Sequence, residues 1–78
     1  MTKSQQTTEI GTFTWDLLHD AAFVDMGPLG GLIPLVGHAS TAPHPNTLIE
    51  GSTIKCIITY YGVREAWLVS VLGVGVAA

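Results

Sequence analysis

Seventy-eight residues with a net charge of −3 make one domain at most, with a thin core, because a chain this short buries only about 60 to 65% of the surface its unfolded form exposes. Charged residues are 12% of the chain, against a usual share of about 25%, while 47% are hydrophobic. Three Lys and Arg in all cannot line a phosphate backbone, which excludes direct nucleic-acid recognition and argues against a polybasic membrane anchor, and one cysteine excludes a disulfide scaffold.

Residues 1–7 are polar and without apolar periodicity, and are expected to form a flexible arm that only a binding partner would order; residues 8–78 make the single small domain. The opening run Met1-Thr-Lys-Ser-Gln-Gln-Thr-Thr lacks the apolar stretch of a secretory signal. Residues 8–15 alternate, with Thr8, Ile10, Thr12 and Thr14 on one face and Glu9, Gly11, Phe13 and Trp15 on the other, which predicts a strand.

Residues 16–26 place Leu17, Leu18, Ala21, Ala22 and Val24 near a helical stripe behind a capping Asp16, so two to three turns of helix ending at Gly27 are expected. On such a helix Asp16, His19 and Asp20 would share a face and offer metal ligands or a proton-transfer pair. A capping Asp beside a solvated polar face is the preferred interpretation, since metal sites need oriented outer partners.

Residues 26–49 carry no Asp, Glu, Lys or Arg and hold all four prolines. Pro28, Pro34, Pro43 and Pro45 would break a transmembrane helix repeatedly, so an extended loop is expected, lying against a neighbour or a membrane. Residues 32–36 would touch a sheet edge, where proline is tolerated. His38 and His44 flank a Pro-containing segment; they suit a metal shared with His19 or a pH switch, with polar loop residues as the simpler interpretation.

The last third predicts an antiparallel hairpin of residues 52–61 and 64–76 around Gly62. In its second run Ala66, Leu68, Ser70, Leu72, Val74 and Val76 oppose Trp67, Val69, Val71, Gly73 and Gly75, with no charge after Glu65, which is the pattern of a strand covered on both sides. Cys56 stands among Ile54, Ile57 and Ile58 and is expected to be a buried, inert thiol rather than a nucleophile.

The expected fold is therefore a small β-rich α+β domain with an antiparallel C-terminal hairpin, an N-terminal strand, one short helix and a long Gly/Pro loop. The expected function is non-enzymatic, with neither cofactor nor metal. The chain would be a structural or self-assembling subunit, such as a coat, filament or obligate oligomer component, whose partner is protein or a second copy rather than nucleic acid. An uncharged edge strand at residues 66–78 would invite pairing, and Trp15, Leu32, Leu35, Tyr60, Trp67, Val69, Val71 and Leu72 are the expected interface anchors. Two alternatives stand beside it. One is a membrane-active toxin or bacteriocin-like peptide, in which the C-terminus, or residues 29–36, similar in composition to fusion and pore-forming peptides, would enter a bilayer. The other is a small-ligand binding module.

Overall fold

The alternation visible at residues 8–15 extends outward in both directions, so that β1 runs over Gln5–Asp16. The computed structural model describes residues 5–74 of the chain. Residues 1–4 of the expected arm, and Gly75 and Val76 of the expected last strand, lie outside the described residues. Four further strands follow, β2 at Ala21–Asp25, β3 at Leu32–His38, β4 at Thr53–Tyr61 and β5 at Val63–Gly73, with one 3-10 turn at Pro45–Thr47.

The strands close into a barrel in the order β1-β2-β3-β5-β4. Within it, β4-β1-β2-β3 has the spatial order of a Greek key. β5 completes the ring between β3 and β4, parallel to the former and antiparallel to the latter. The small β-rich fold expected from the sequence is thus present, but two of its finer elements are not.

The first correction concerns residues 16–26, which form no helix. Ala22 and Val24 are buried while Ala21 and Phe23 are only partly covered, so a period of 2 overrides the approximate helical stripe. Such a short helix would be marginal unless packing supported it, whereas here a strand gains a ladder from Thr12↔Asp25 to Asp16↔Ala21. Asp16 does act as a cap, but of a turn: its Oδ1 accepts from the backbone N–H of Leu18 at 2.9 Å and of His19 at 3.2 Å. Asp20, at φ 52°, then reverses the chain, in the left-handed region that Asp tolerates better than most residues.

The second correction concerns the Gly/Pro segment, which contains the interior strand β3 rather than loop alone. Pro34 faces Phe23 of β2 at the register position Phe23↔Pro34. On the other side β3 meets β5 at Leu35↔Ala66 and Gly37↔Trp67, with a bulge at Val36 between them. Residues 29–36 are therefore not a free apolar peptide, because Leu32–His38 is tied into the barrel and Ile33 is buried.

A third correction follows from closure. Residues 66–68 of β5 have a partner on each side, so this part of the uncharged run is not the open edge expected, whereas residues 69–73 pair with β4 alone among the described residues. The alternation of β5 does not run unbroken either: the pairings Cys56↔Leu68 and Lys55↔Ser70 leave Val69 as an extra residue, and Ile54↔Val71 and Thr53↔Gly73 do the same for Leu72. A bulge shifts the side-chain phase and bends the strand. Val71 therefore packs against the core with Ala66 and Leu68, on the side where strict alternation would have put Ser70.

The core is as thin as the length implies. Its ten buried hydrophobic residues include three alanines and Cys56, and the larger members are Phe13, Ile33, Ile54, Ile58 and Leu68. Residues 39–52 fold over one end of the barrel, where Ala42, Pro45 and Ser52 are buried. Ser52 donates its hydroxyl to the Ile49 carbonyl at 2.6 Å, which satisfies a buried polar group. Among the described residues no segment folds over the opposite end in this way.

Candidate interaction surface

The outward face of the barrel follows from the register. On it Gly37 of β3 sits beside Trp67 of β5, Trp67 beside Ile57 of β4, and Ile57 beside Thr8 of β1. The row is largely apolar. The indole lies so close over Gly37 that any Cβ there would overlap the ring, so a glycine in mid-strand is what seats the tryptophan. Trp67 nevertheless remains 44% exposed, with Ile10, Val36 and Leu72 also exposed. Lys55 and Glu65 lie one row away on either side of the Ile57–Trp67 pair, so charge borders the Trp67 row, and Lys55 stands directly beside Ile10.

β1 contributes a second feature, in its backbone. It pairs with β4 over residues 5–12 but with β2 only over residues 12–16. In an antiparallel ladder the N–H and C=O groups of successive residues point to opposite sides. The direction is fixed here by Phe13, whose N–H donates to the Ser52 carbonyl at 2.8 Å, and by Trp15, whose N–H donates to Glu50 Oε1 at 2.8 Å, both on the β4 side. Odd-numbered residues thus turn their backbone groups toward β4. Gln6, Thr8 and Ile10 turn theirs the other way, where no strand among the described residues pairs with them.

The uncovered end of the barrel holds a cavity of about 400 Å³. Its floor is Ile33 and Ile58, and its walls carry Glu9, Tyr60 and Arg64. Arg64 donates to the Gly30 carbonyl at 2.8 Å and so fastens the β2–β3 loop beside the opening. Glu9 forms no ion pair with it among the described residues.

The titratable groups singled out from the sequence divide. His19 Nδ1 stands 2.6 Å from Asp16 Oδ2, and that hydrogen bond holds the Asp16 carboxyl below its ordinary value of 3.8. The pair closes an exposed turn. His38 and His44 do come together, with ring centroids 5.2 Å apart. Each is engaged by the backbone: His38 Nδ1 donates to the Ala39 carbonyl at 3.1 Å, and His44 Nδ1 accepts from the Asn46 N–H at 3.0 Å. Among the described residues no three His, Cys, Asp or Glu side chains converge as metal ligands. Cys56 is fully buried, and desolvation pushes its thiol up to about 11, which leaves it protonated and inert at neutral pH.

Of the expected anchors, Leu32, Tyr60, Trp67 and Leu72 are exposed, and Val69 is a half-buried bulge residue. Trp15, Leu35 and Val71 instead pack against the core. Sequence reasoning passed over Ile10, Val36 and Ile57, which share the outer face with Trp67. For Ile10 the signal was present, since the alternation of residues 8–15 already set it opposite Phe13. No family model matches the chain, and no curated protein or solved structure does so either.

Proposed function

We propose that this chain is a non-enzymatic structural subunit that assembles through its outer apolar face. One observation carries the proposal: among the described residues thirteen large hydrophobic side chains are exposed, while the buried core has ten hydrophobic residues in all. Several of the exposed ones sit in separate turns, but where Val36, Ile57 and Trp67 adjoin they make the kind of apolar patch that marks an interface, and association is a common way for so small a scaffold to supplement its core. The Trp67 row is the centre of that surface, since an aromatic residue flanked by aliphatic ones and rimmed by charge is the usual composition of a contact that excludes water.

The experiment is a solution mass of the native protein beside Trp67→Lys and Leu72→Lys. Both side chains are exposed, so neither substitution disturbs the barrel interior, while a charge buried in an interface without a partner is costly. The wild type is expected to run as a multiple of the chain mass and the variants as smaller species. A wild type of single-chain mass at all concentrations contradicts the proposal.

The open cavity favours a second function, binding of a small amphipathic molecule, because barrel mouths are common ligand sites. Saturable binding of an apolar dye that Ile58→Glu abolishes would support it. Five-stranded Greek-key barrels elsewhere bind oligonucleotides and oligosaccharides, but architecture alone does not carry function, and three basic residues disfavour a nucleic-acid role here. For the membrane-active alternative, no helix among the described residues is long and apolar enough to cross a bilayer; the apolar side chains open to a bilayer contact include the exposed loop leucines Leu17, Leu18 and Leu29.

A further inference from the structure

We infer that two copies of the chain join edge to edge through residues 5–10 of β1, antiparallel about a twofold axis at Thr8, so that one sheet runs through both barrels. The inference rests on the assembly proposed above and names its contact. The free edge supplies the reason. Among the described residues no strand pairs with the outward backbone groups of Gln6, Thr8 and Ile10, all of residues 5–10 are exposed, and no proline or lysine interrupts them. Edges left in that state are templates for another strand.

Geometry then selects both the occupant and the register. In an antiparallel pair, residues opposite one another either both direct their backbone groups across the junction or both direct them away, so two identical edges can meet only when the paired residue numbers sum to an even value. Centring on Thr8 sets Gln6 against Ile10 of the second copy, Thr8 against Thr8, and Ile10 against Gln6. All three free residues are then used, giving about six backbone hydrogen bonds. Centring on Thr7 leaves Ile10 outside the set, and centring on Glu9 stacks two carboxylates directly opposite one another, which is destabilising.

The Thr8 register avoids both faults and places each Glu9 across from a Thr7 hydroxyl, which can donate to it. It also joins the apolar rows. Thr8 adjoins Ile57, Ile57 adjoins Trp67 and Trp67 adjoins Gly37 in each copy, so the outer stripe becomes continuous across the axis. The surface is self-complementary in backbone, charge and apolar pattern, which is what an isologous dimer requires, and a second copy is therefore the occupant it fits.

Two variants of the full chain test this. Thr8→Pro removes an N–H that points away from β4, so the barrel should keep its strand signature and its cooperative melt while the dimer weakens by at least about a hundredfold. Thr8→Cys puts like residues about 5.5 Å apart across the axis, inside the range a disulfide spans. Ile10→Cys separates them by about 14 Å, from about 3.3 Å per residue over four residues along the strand and about 5.5 Å across it, beyond that range. Under mild oxidation Thr8→Cys should therefore crosslink at least about tenfold faster than Ile10→Cys, and the native thiol does not compete, because Cys56 is buried.

If the wild type associates but Thr8→Pro leaves its mass unchanged, or Ile10→Cys crosslinks as fast as Thr8→Cys, this contact is wrong while the broader assembly stands. If the wild type is a single copy at every concentration, both fall.

Discussion

The two halves of β1 are built from similar residues and end in opposite circumstances. Residues 12–16 lie between β2 and the stretch of residues 50–53 that leads into β4, with Phe13 only 2% exposed. Where β4 has not yet begun, the Glu50 side chain takes its place, accepting from the Trp15 N–H and, at 2.6 Å, from the Thr14 hydroxyl. Residues 5–10 share the alternation and the threonines, yet among the described residues β4 alone supports them and all six are exposed. Strand propensity is thus common to both halves, and a partner on the second side is what separates interior from edge. The molecule completes one half with its own chain, and we propose that it completes the other with a copy of itself.

The comparison can be broken most severely at Phe13. Phe13→Ala empties the centre of the doubly supported half and should cost about 3 to 5 kcal/mol of stability in a denaturant titration. Thr7→Pro and Thr8→Pro test the alternation within the other half: Thr7 directs its N–H at β4, so proline there should cost about 3 kcal/mol, against under about 1 kcal/mol at Thr8, when dilute protein is unfolded. Equal losses would mean that the assigned backbone directions are wrong.

Smaller effects sharpen the picture at the Glu50 end. Glu50→Ala removes two hydrogen bonds on an exposed flank and should cost about 1 kcal/mol by the same titration, with the amide signals of Thr14 and Trp15 shifting most. The smallest effect belongs to Asp16. Its folded carboxyl titrates below the ordinary value of 3.8, so its stabilisation is complete above that value and is lost as pH falls through the lower folded one. Melting followed between pH 5 and 2 should show Asp16→Asn lacking part of the wild-type acid destabilisation, and superimposable profiles would remove the cap from the account.

Much of this fold was legible in the residues, and the exceptions have physical causes. The alternation at Phe13 and Ile54, and the glycine at the β4–β5 turn, where Gly62 sits at φ 83°, are local signals that a strand and a turn satisfy by themselves. The helix expected at residues 16–26 failed because five alternating residues also fit a short helical stripe, and only the ladder to β1 decides between them. β3 was hidden by Pro34, which a strand interior normally excludes, and the adjacent bulge at Val36 is visible only in the pairing with β5.

Closure misled most. An uncharged strand reads as an edge or as an interior according to neighbours the sequence does not name, so residues 66–68 of the expected edge are interior and a second, unexpected edge lies at β1. The site was legible in part for a similar reason: Trp67 was singled out as an aromatic in an apolar run, whereas the backbone groups of Gln6, Thr8 and Ile10 have no residue signature at all.

Amide hydrogen exchange of Gln6, Thr8 and Ile10, followed as the protein is diluted, bears most directly on the claim that this edge is held by a second copy. Slow exchange in concentrated solution that becomes fast on dilution, while Thr7 and Glu9 stay protected throughout, is the predicted result. Fast exchange of the three amides at every concentration, or protection that survives in the single chain, would contradict it.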